Sequence, residues 1–267
     1  MKKLLISLVL VTATAISSFA QFEITAGYMN NRNSGVNLLK GTAGILQQEM
    51  TDASVSLTNT PLTASLYQNG AFIGVSYGIK IGGNGFKIAP GIQYQFSTVG
   101  LGINMKALSG SERIDGNARL TTHDMLVPIK FSYTFKTSGL VKPFVFVDPS
   151  FKFGLSAGLS VKASVNGEEY KTKNPFNLYK PDIKASLPDE LAGLVKDEDA
   201  SEINGYAKVN MFDFLPGGGF GILVGNHFCV ECGYRFGVVN RLNNKQISDY
   251  GFGLNTNTVQ VGVSYMF

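Results

Sequence analysis

The stretch that decides the fold is the last one, Thr258-Val259-Gln260-Val261-Gly262-Val263-Ser264-Tyr265-Met266-Phe267. Val259, Val261, Val263, Tyr265 and Phe267 alternate with Gln260, Gly262, Ser264 and Met266. Successive side chains of a β-strand point to opposite faces, so this segment has one apolar face and one that is polar or small. The apolar face runs to the final carboxylate and ends on an aromatic ring.

The same alternation recurs upstream, at 22–30, 71–81, 86–97, 122–135, 142–159, 211–224 and 227–239. In 227–239, for example, Phe228, Val230, Cys232, Tyr234, Phe236 and Val238 oppose Cys229, Glu231, Gly233, Arg235 and Gly237. With the terminal segment this makes eight predicted strands. Most of them approach the ~9–11 residues a tilted strand needs to cross a bilayer. The connections alternate in length: 31–70 is long, 82–85 short, 98–121 medium, 136–141 short, 160–205 long, 225–226 short and 240–255 medium. Membrane barrels show this asymmetry, with tight turns on the periplasmic side and longer loops outside. Gly82-Gly83-Asn84-Gly85 and Gly225-Asn226 suit tight turns, because Gly and Asn tolerate positive φ.

The N-terminus supports export. Lys2 and Lys3 precede an apolar stretch, Leu4 to Ile16, and Ser18-Phe19-Ala20 offers a small-x-small site with cleavage between Ala20 and Gln21. The run is shorter than the ~20 residues of a spanning helix. The expected organisation is a leader over 1–20 and one barrel over 21–267. Removing 20 residues from 267 leaves 247, and losing two lysines lowers the formal charge from +4 to +2. That is too weak to argue for nucleic acid or an acidic substrate. The 31 glycines, 19 phenylalanines and 11 tyrosines suit strands, bends and crowded inner positions.

Charge placement separates a membrane barrel from a soluble one. Glu23, Lys87, Asp124, Lys130, Asp148, Lys152, Asp213, Glu231 and Arg235 all fall on the glycine-bearing face, opposite the aromatics. A soluble barrel would turn its aromatics inward. An eight-stranded membrane barrel has an interior just wide enough for side chains, so these nine charges are predicted to line the lumen and pair there. The fold expected is all-β, an eight-stranded antiparallel transmembrane barrel of the outer-membrane type with long external loops.

The segment THDMLVPIKFSYTF at 122–135, followed by VKPFVFVDPSFKFG at 141–154, resembles the PorT-like outer-membrane β-barrel family. Pro128 and Lys142-Pro143-Phe144 match its pattern of a Pro-bearing strand before a Lys-Pro-aromatic strand, and MFDFLPGGGFGI and TVQVGVSYMF fit its last strands. Asp148-Pro149 departs from it where Gly and a small residue are expected, which leaves the local strand geometry open. In proteins of this kind Val263, Tyr265 and Phe267 stand where the barrel-assembly machinery reads its C-terminal signal. An even strand count with short turns beside the ends places both termini in the periplasm; the resemblance also implies an outer-membrane location, and some members resemble parts of secretion systems.

The sequence carries little catalytic chemistry. Cys229 and Cys232 are three apart, so on a strand they face opposite ways, about 10 Å from each other, and cannot share a metal or a disulfide. His123 and His227 lack zinc-site spacing. Gly217-Gly218-Gly219 lacks the Lys-Ser/Thr of a phosphate loop. His123-Asp124 is the one weak hint of a catalytic cluster, so no catalytic, cofactor-binding or metal residues are assigned, and the chain is read as not an enzyme. In the loops, Ser186-Leu187-Pro188-Asp189-Glu190 reads as a helix start with Ser186 as cap and Leu191, Leu194 and Val195 as its stripe. Leu38, Leu39, Ile45 and Leu46 suggest another helix. The expected partners are outer-membrane lipid, the assembly machinery and a protein docking on loops 31–70 and 160–205. The expected role is structural or interactive (anchor, adhesion, secretion-complex component) with a plugged lumen; the alternative is a narrow porin or transporter for ions or small apolar molecules.

Overall fold

A computed structural model describes residues 20–33, 63–64, 68–82, 85–106, 113–165, 168–241 and 256–267. The predicted leader up to Phe19, the first-loop helix and Gly83-Asn84 lie outside these residues, as does most of 240–255.

The chain folds as β1 Ala20–Asn33, β2 Thr63–Ala64, β3 Gln68–Ile81, β4 Phe86–Lys106, β5 Arg113–Thr134, β6 Val141–Val147, β7 Ser150–Val165, β8 Glu168–Lys171, β9 Phe176–Asn177, β10 Phe212–Leu215, β11 Gly217–Val224, β12 Phe228–Phe236 and β13 Thr256–Met266. Three helices, α1 Ile183–Ser186, α2 Asp189–Ala192 and α3 Asp197–Ala207, lie between β9 and β10. Neighbours pair antiparallel, and β13 returns to β1 from Glu23↔Met266 to Asn33↔Thr256, which closes the sheet. The ring has eight positions, β6 with β7 filling the fifth and β10 with β11 the sixth. Closure leaves the wall no unpaired edge to satisfy inside a bilayer.

The outward face is apolar and banded. Near the short turns it carries Phe22, Phe86, Tyr133, Phe135, Phe228, Tyr265 and Phe267; farther along come Tyr28, Tyr94, Phe96, Phe153, Phe212, Tyr234 and Phe236. Between these girdles are aliphatic residues such as Ile24, Val75, Ile92, Val230 and Val263, all exposed. From Phe22 to Tyr28 or Phe228 to Tyr234 is about 20 Å of strand path, at ~3.3 Å per residue. Paired aromatic girdles around an aliphatic band mark a lipid-facing barrel wall. Some lower rings touch: Tyr265 and Phe267 meet edge-on at 4.9 Å, and Phe22 lies 5.9 Å from Phe267.

Four sequence expectations are corrected. The 98–121 connection is mostly strand, because β4 and β5 stay paired from Thr98↔Thr121 to Lys106↔Arg113. The alternation fades there because strand beyond the lipid band needs no apolar face. Similarly β7 runs on to Val165 and pairs with β8, so the 160–205 connection begins as sheet. Ser186 does not cap a helix; it ends α1, whose cap is Asp182, accepting from the Ala185 N–H at 3.1 Å. The helix expected from Asp189 onward spans only Asp189–Ala192, and Leu194 of its expected stripe is exposed. The longest helix instead starts at the acidic run Asp197-Glu198-Asp199, where carboxylates meet the positive end of the helix dipole.

At Asp148-Pro149 the fifth position breaks into β6 and β7, and the sixth breaks at Pro216. The register is the same on both sides, Val147↔Gly218 and Ser150↔Leu215, which sets Pro149 opposite Pro216. Neither proline has an N–H to donate to the ladder. Pro128 pairs with Ser150 beside them and Pro90 with Ile129, so a row of prolines crosses four successive strands at one level.

Candidate functional site

The residues with chemical potential are inside. Each of the nine charged positions singled out from alternation faces the lumen, and eight form four ion pairs. Lys87 Nζ is 3.2 Å from Glu23 Oε2, Lys130 Nζ 2.7 Å from Glu231 Oε2, Lys152 Nζ 3.0 Å from Asp124 Oδ2 and Arg235 Nη2 2.5 Å from Asp148 Oδ2. Lys130 on β5 and Glu231 on β12 stand three ring positions apart, so their contact crosses the barrel. Arg235 reaches Asp148 two positions away, donates to it from Nε at 2.9 Å as well, and also donates to Gln260 Oε1. Ser264 donates to Glu23 Oε1 at 2.7 Å. Charges this deep persist only when paired and hydrogen-bonded. Asp213 is the ninth; it accepts from the Val239 N–H at 3.2 Å.

Two contributors come from outside the strands. Tyr179, just after β9, is buried in the lumen and donates to Asp124 Oδ1 at 3.0 Å. Arg241, past the end of β12, donates to the Tyr179 hydroxyl, lies 5.3 Å over its ring and donates from Nε to the Asn210 carbonyl at 3.1 Å. Gly154 makes room: a Cβ there would overlap the Tyr179 ring. Arg241 also completes the lumen's charge balance, five acids against Lys87, Lys130, Lys152, Arg235 and Arg241.

Three phenylalanines also point inward, each opposite a glycine on the next strand. Phe72 pairs with Gly27, Phe144 with Gly221 and Phe146 with Gly219. A Cβ on Gly221 would sit 2.5 Å from the Phe144 ring and one on Gly219 2.7 Å from that of Phe146. The glycine run at 217–219 and Gly221 is thus partly floor space for rings. The sequence signal was there in parity, since Phe144 and Phe146 share a face with Asp148 and Ser150.

The remaining positions fall apart as sites. His123 faces outward, its Nδ1 2.5 Å from the Tyr94 hydroxyl and its ring 5.2 Å from Phe96, while Asp124 faces the lumen. Cys229 is buried inside and Cys232 is on the outer face; both thiols are free. Glu23, Cys229 and Glu231 bring one ligand atom each within 4.8 Å of one another. Lys87 and Lys130 already occupy both carboxylates, so a cation would have to displace two ammonium groups. Val263 and Tyr265 lie on the outward face of β13 and Phe267, just past its end, continues that face; the Phe267 N–H donates to the Phe22 carbonyl at 2.9 Å.

A closed antiparallel ring with an apolar girdled outside and a charged inside defines an integral membrane β-barrel. Residues 19–243 match the outer membrane protein beta-barrel domain family, and the chain belongs to it. Its location is therefore the outer membrane. Among solved structures it is similar to Neisserial surface protein A at 13% identity, covering 93% of this chain and 99% of that one with a TM-score of 0.34. It is similar to Ail, the attachment invasion locus protein of Yersinia pestis, in complex with the heparin analogue sucrose octasulfate, at 11% identity, 93% and 99% coverage and a TM-score of 0.34. An outer membrane channel from Pseudomonas putida F1 matches at 7% identity, 92% and 96% coverage and a TM-score of 0.24. No curated protein matches the chain.

Proposed function

We propose that this protein is a structural or interaction barrel, an anchor, adhesin or secretion-complex component of the PorT-like kind, whose lumen is closed by its own side chains. The observation that carries this is the set of ion pairs spanning the lumen, with Tyr179 and Arg241 above them. A conducting pore needs water along its axis, and here the axis is occupied by Lys130–Glu231, Arg235–Asp148 and the Phe144 and Phe146 rings. Both termini face the periplasm in this reading, with the short turns beside them. The long connections then face outward, where loops 31–70 and 160–205 offer a protein its docking surface, while Val263, Tyr265 and Phe267 serve as the assembly signal.

Reach supports the same reading. The 21 residues of β4 and 22 of β5 extend about 70 Å at ~3.3 Å per residue, well over the ~25 Å apolar band even when tilted. Their upper ends, with β7 and β8, make a sheet that stands beyond the membrane. The experiment is single-channel recording in planar bilayers combined with crosslinked purification from outer membranes. A silent barrel that brings down a stoichiometric partner is the expected result. Sustained open currents would overturn the closed lumen and favour the narrow-pore alternative.

A further inference from the structure

At the short-turn end the lumen widens into a cavity of about 290 Å³. Four lysines line it, Lys80, Lys87, Lys130 and Lys142, against two carboxylates, Glu23 and Glu231. Both carboxylates are already engaged, Glu23 by Lys87 and Glu231 by Lys130. Lys142 donates to the neutral side chain of Asn226 at 3.1 Å, and Lys80 has no carboxylate partner among the described residues. Two positive charges are left over. They face a chamber whose inner wall is apolar, formed by Phe144, Leu223 and Met266. Its roof is the Lys130–Glu231 pair, with Lys130 Nζ 5.1 Å from the centre of the Phe146 ring.

Surplus cations on a half-apolar blind chamber suit a ligand with one negative end and one greasy end. We propose that this vestibule binds a small amphiphile with an oxyanion head, carboxylate or phosphate. The head sits among Lys80, Lys87 and Lys142, and the short tail lies along Phe144, Leu223 and Met266. The volume is at the lower edge of small-molecule pockets, which run about 300–1,000 Å³, so the tail is limited to a few carbons. The site is at the opposite mouth from the docking surface proposed above and does not depend on it.

Cys229 lines the same chamber and serves as a built-in reporter. In lipid nanodiscs, the C232S protein is alkylated with N-ethylmaleimide in the presence of hexyl phosphate, hexanoate, 1-hexanol, hexylammonium or inorganic phosphate. Hexyl phosphate or hexanoate slows Cys229 alkylation at least tenfold, and whichever acid protects better names the head group. The K80Q/K142Q pair raises the concentration needed at least tenfold, with the urea midpoint unchanged. Equal protection by 1-hexanol or hexylammonium would overturn the charge reading, and equal protection by inorganic phosphate would overturn the amphiphile in favour of a free anion. Protection that survives K80Q/K142Q would overturn the site itself.

Discussion

The two halves of the lumen solve one problem in different ways. In the lower half the ion pairs belong to the wall itself: Glu23 pairs with Lys87 and Lys130 with Glu231, strand to strand, and above them Asp148, at the break between β6 and β7, pairs with Arg235 on β12. In the upper half, Asp124, Lys152 and Asp213 are closed over by Tyr179 and Arg241, which arrive from the connections. The lower half is part of the wall. The upper half is a lid fitted onto it, and the fit depends on one glycine, Gly154.

The largest test of this contrast falls on the wall-borne pairs. Arg235→Met leaves Asp148 buried without its partner and should cost about 3–5 kcal/mol, read from urea unfolding in lipid vesicles. Adding Asp148→Leu should return most of that loss, because an apolar pair can replace a buried ion pair. A single-variant cost near zero would mean that water reaches the layer and the lower half is not sealed.

Gly154→Ala comes next. Its Cβ meets the Tyr179 ring, and overpacking of this kind costs about 1–3 kcal/mol. Its mark should be local: protease cuts the 166–211 connection faster, while the β-barrel's heat-resistant gel mobility stays. Tyr179→Ala in the same chain should relieve the clash, so that the two losses do not add; strict additivity would show that the ring does not sit over this glycine. Smaller again is Tyr179→Phe, which removes one hydroxyl between Asp124 and Arg241 and should cost about 1 kcal/mol, with no cost at all meaning that the lid is loosely seated.

The smallest effect lies outside the lumen altogether. Lys184 stands 2.5 Å from Asp197 and holds that carboxyl below its ordinary range. A depressed carboxylate stabilises above its unfolded pKa, and the contribution is lost as pH falls through the folded value. Asp197 is fully exposed, however, and solvent screens such a pair. Lys184→Gln should therefore leave the urea midpoint unchanged at neutral and at acid pH; a measurable drop would mean that the helices form part of the barrel's cooperative unit.

The same division explains what could be read in advance. Period-two alternation reports which face a strand residue takes, so Glu23, Lys130, Glu231 and Arg235 were legible as lumen groups before any partner was known. The inward Phe144 and Phe146 obey the same parity, but an apolar residue on a polar face looks like noise until Gly221 and Gly219 are seen beneath it. Tyr179 and Arg241 carry no such signal. Each sits in irregular chain, and what sends it into the barrel is a fold-level coincidence of loop path and a vacant Gly154. The strand ends above the bilayer were hidden for the opposite reason: beyond the lipid band no apolar face is required, so β4 and β5 stay paired there without an alternating pattern.

The proline row has a mechanical consequence. In a closed wall the ladder hydrogen bonds run around the circumference, so they act as hoops that resist widening. On the β12, β13, β1 and β3 side the hoops from Ile24↔Tyr265 to Asn30↔Val259 are continuous. Pro90, Pro128, Pro149 and Pro216 each remove one donor at a single level, although their neighbours still bond across it, as Ile129 N–H does to the Pro149 carbonyl at 3.0 Å and Phe236 N–H to the Pro216 carbonyl at 3.1 Å. Bilayer stress spread evenly over this barrel is therefore not borne evenly. It concentrates on one arc of the wall, at a level fixed by four residues, and that arc is where the cylinder yields first.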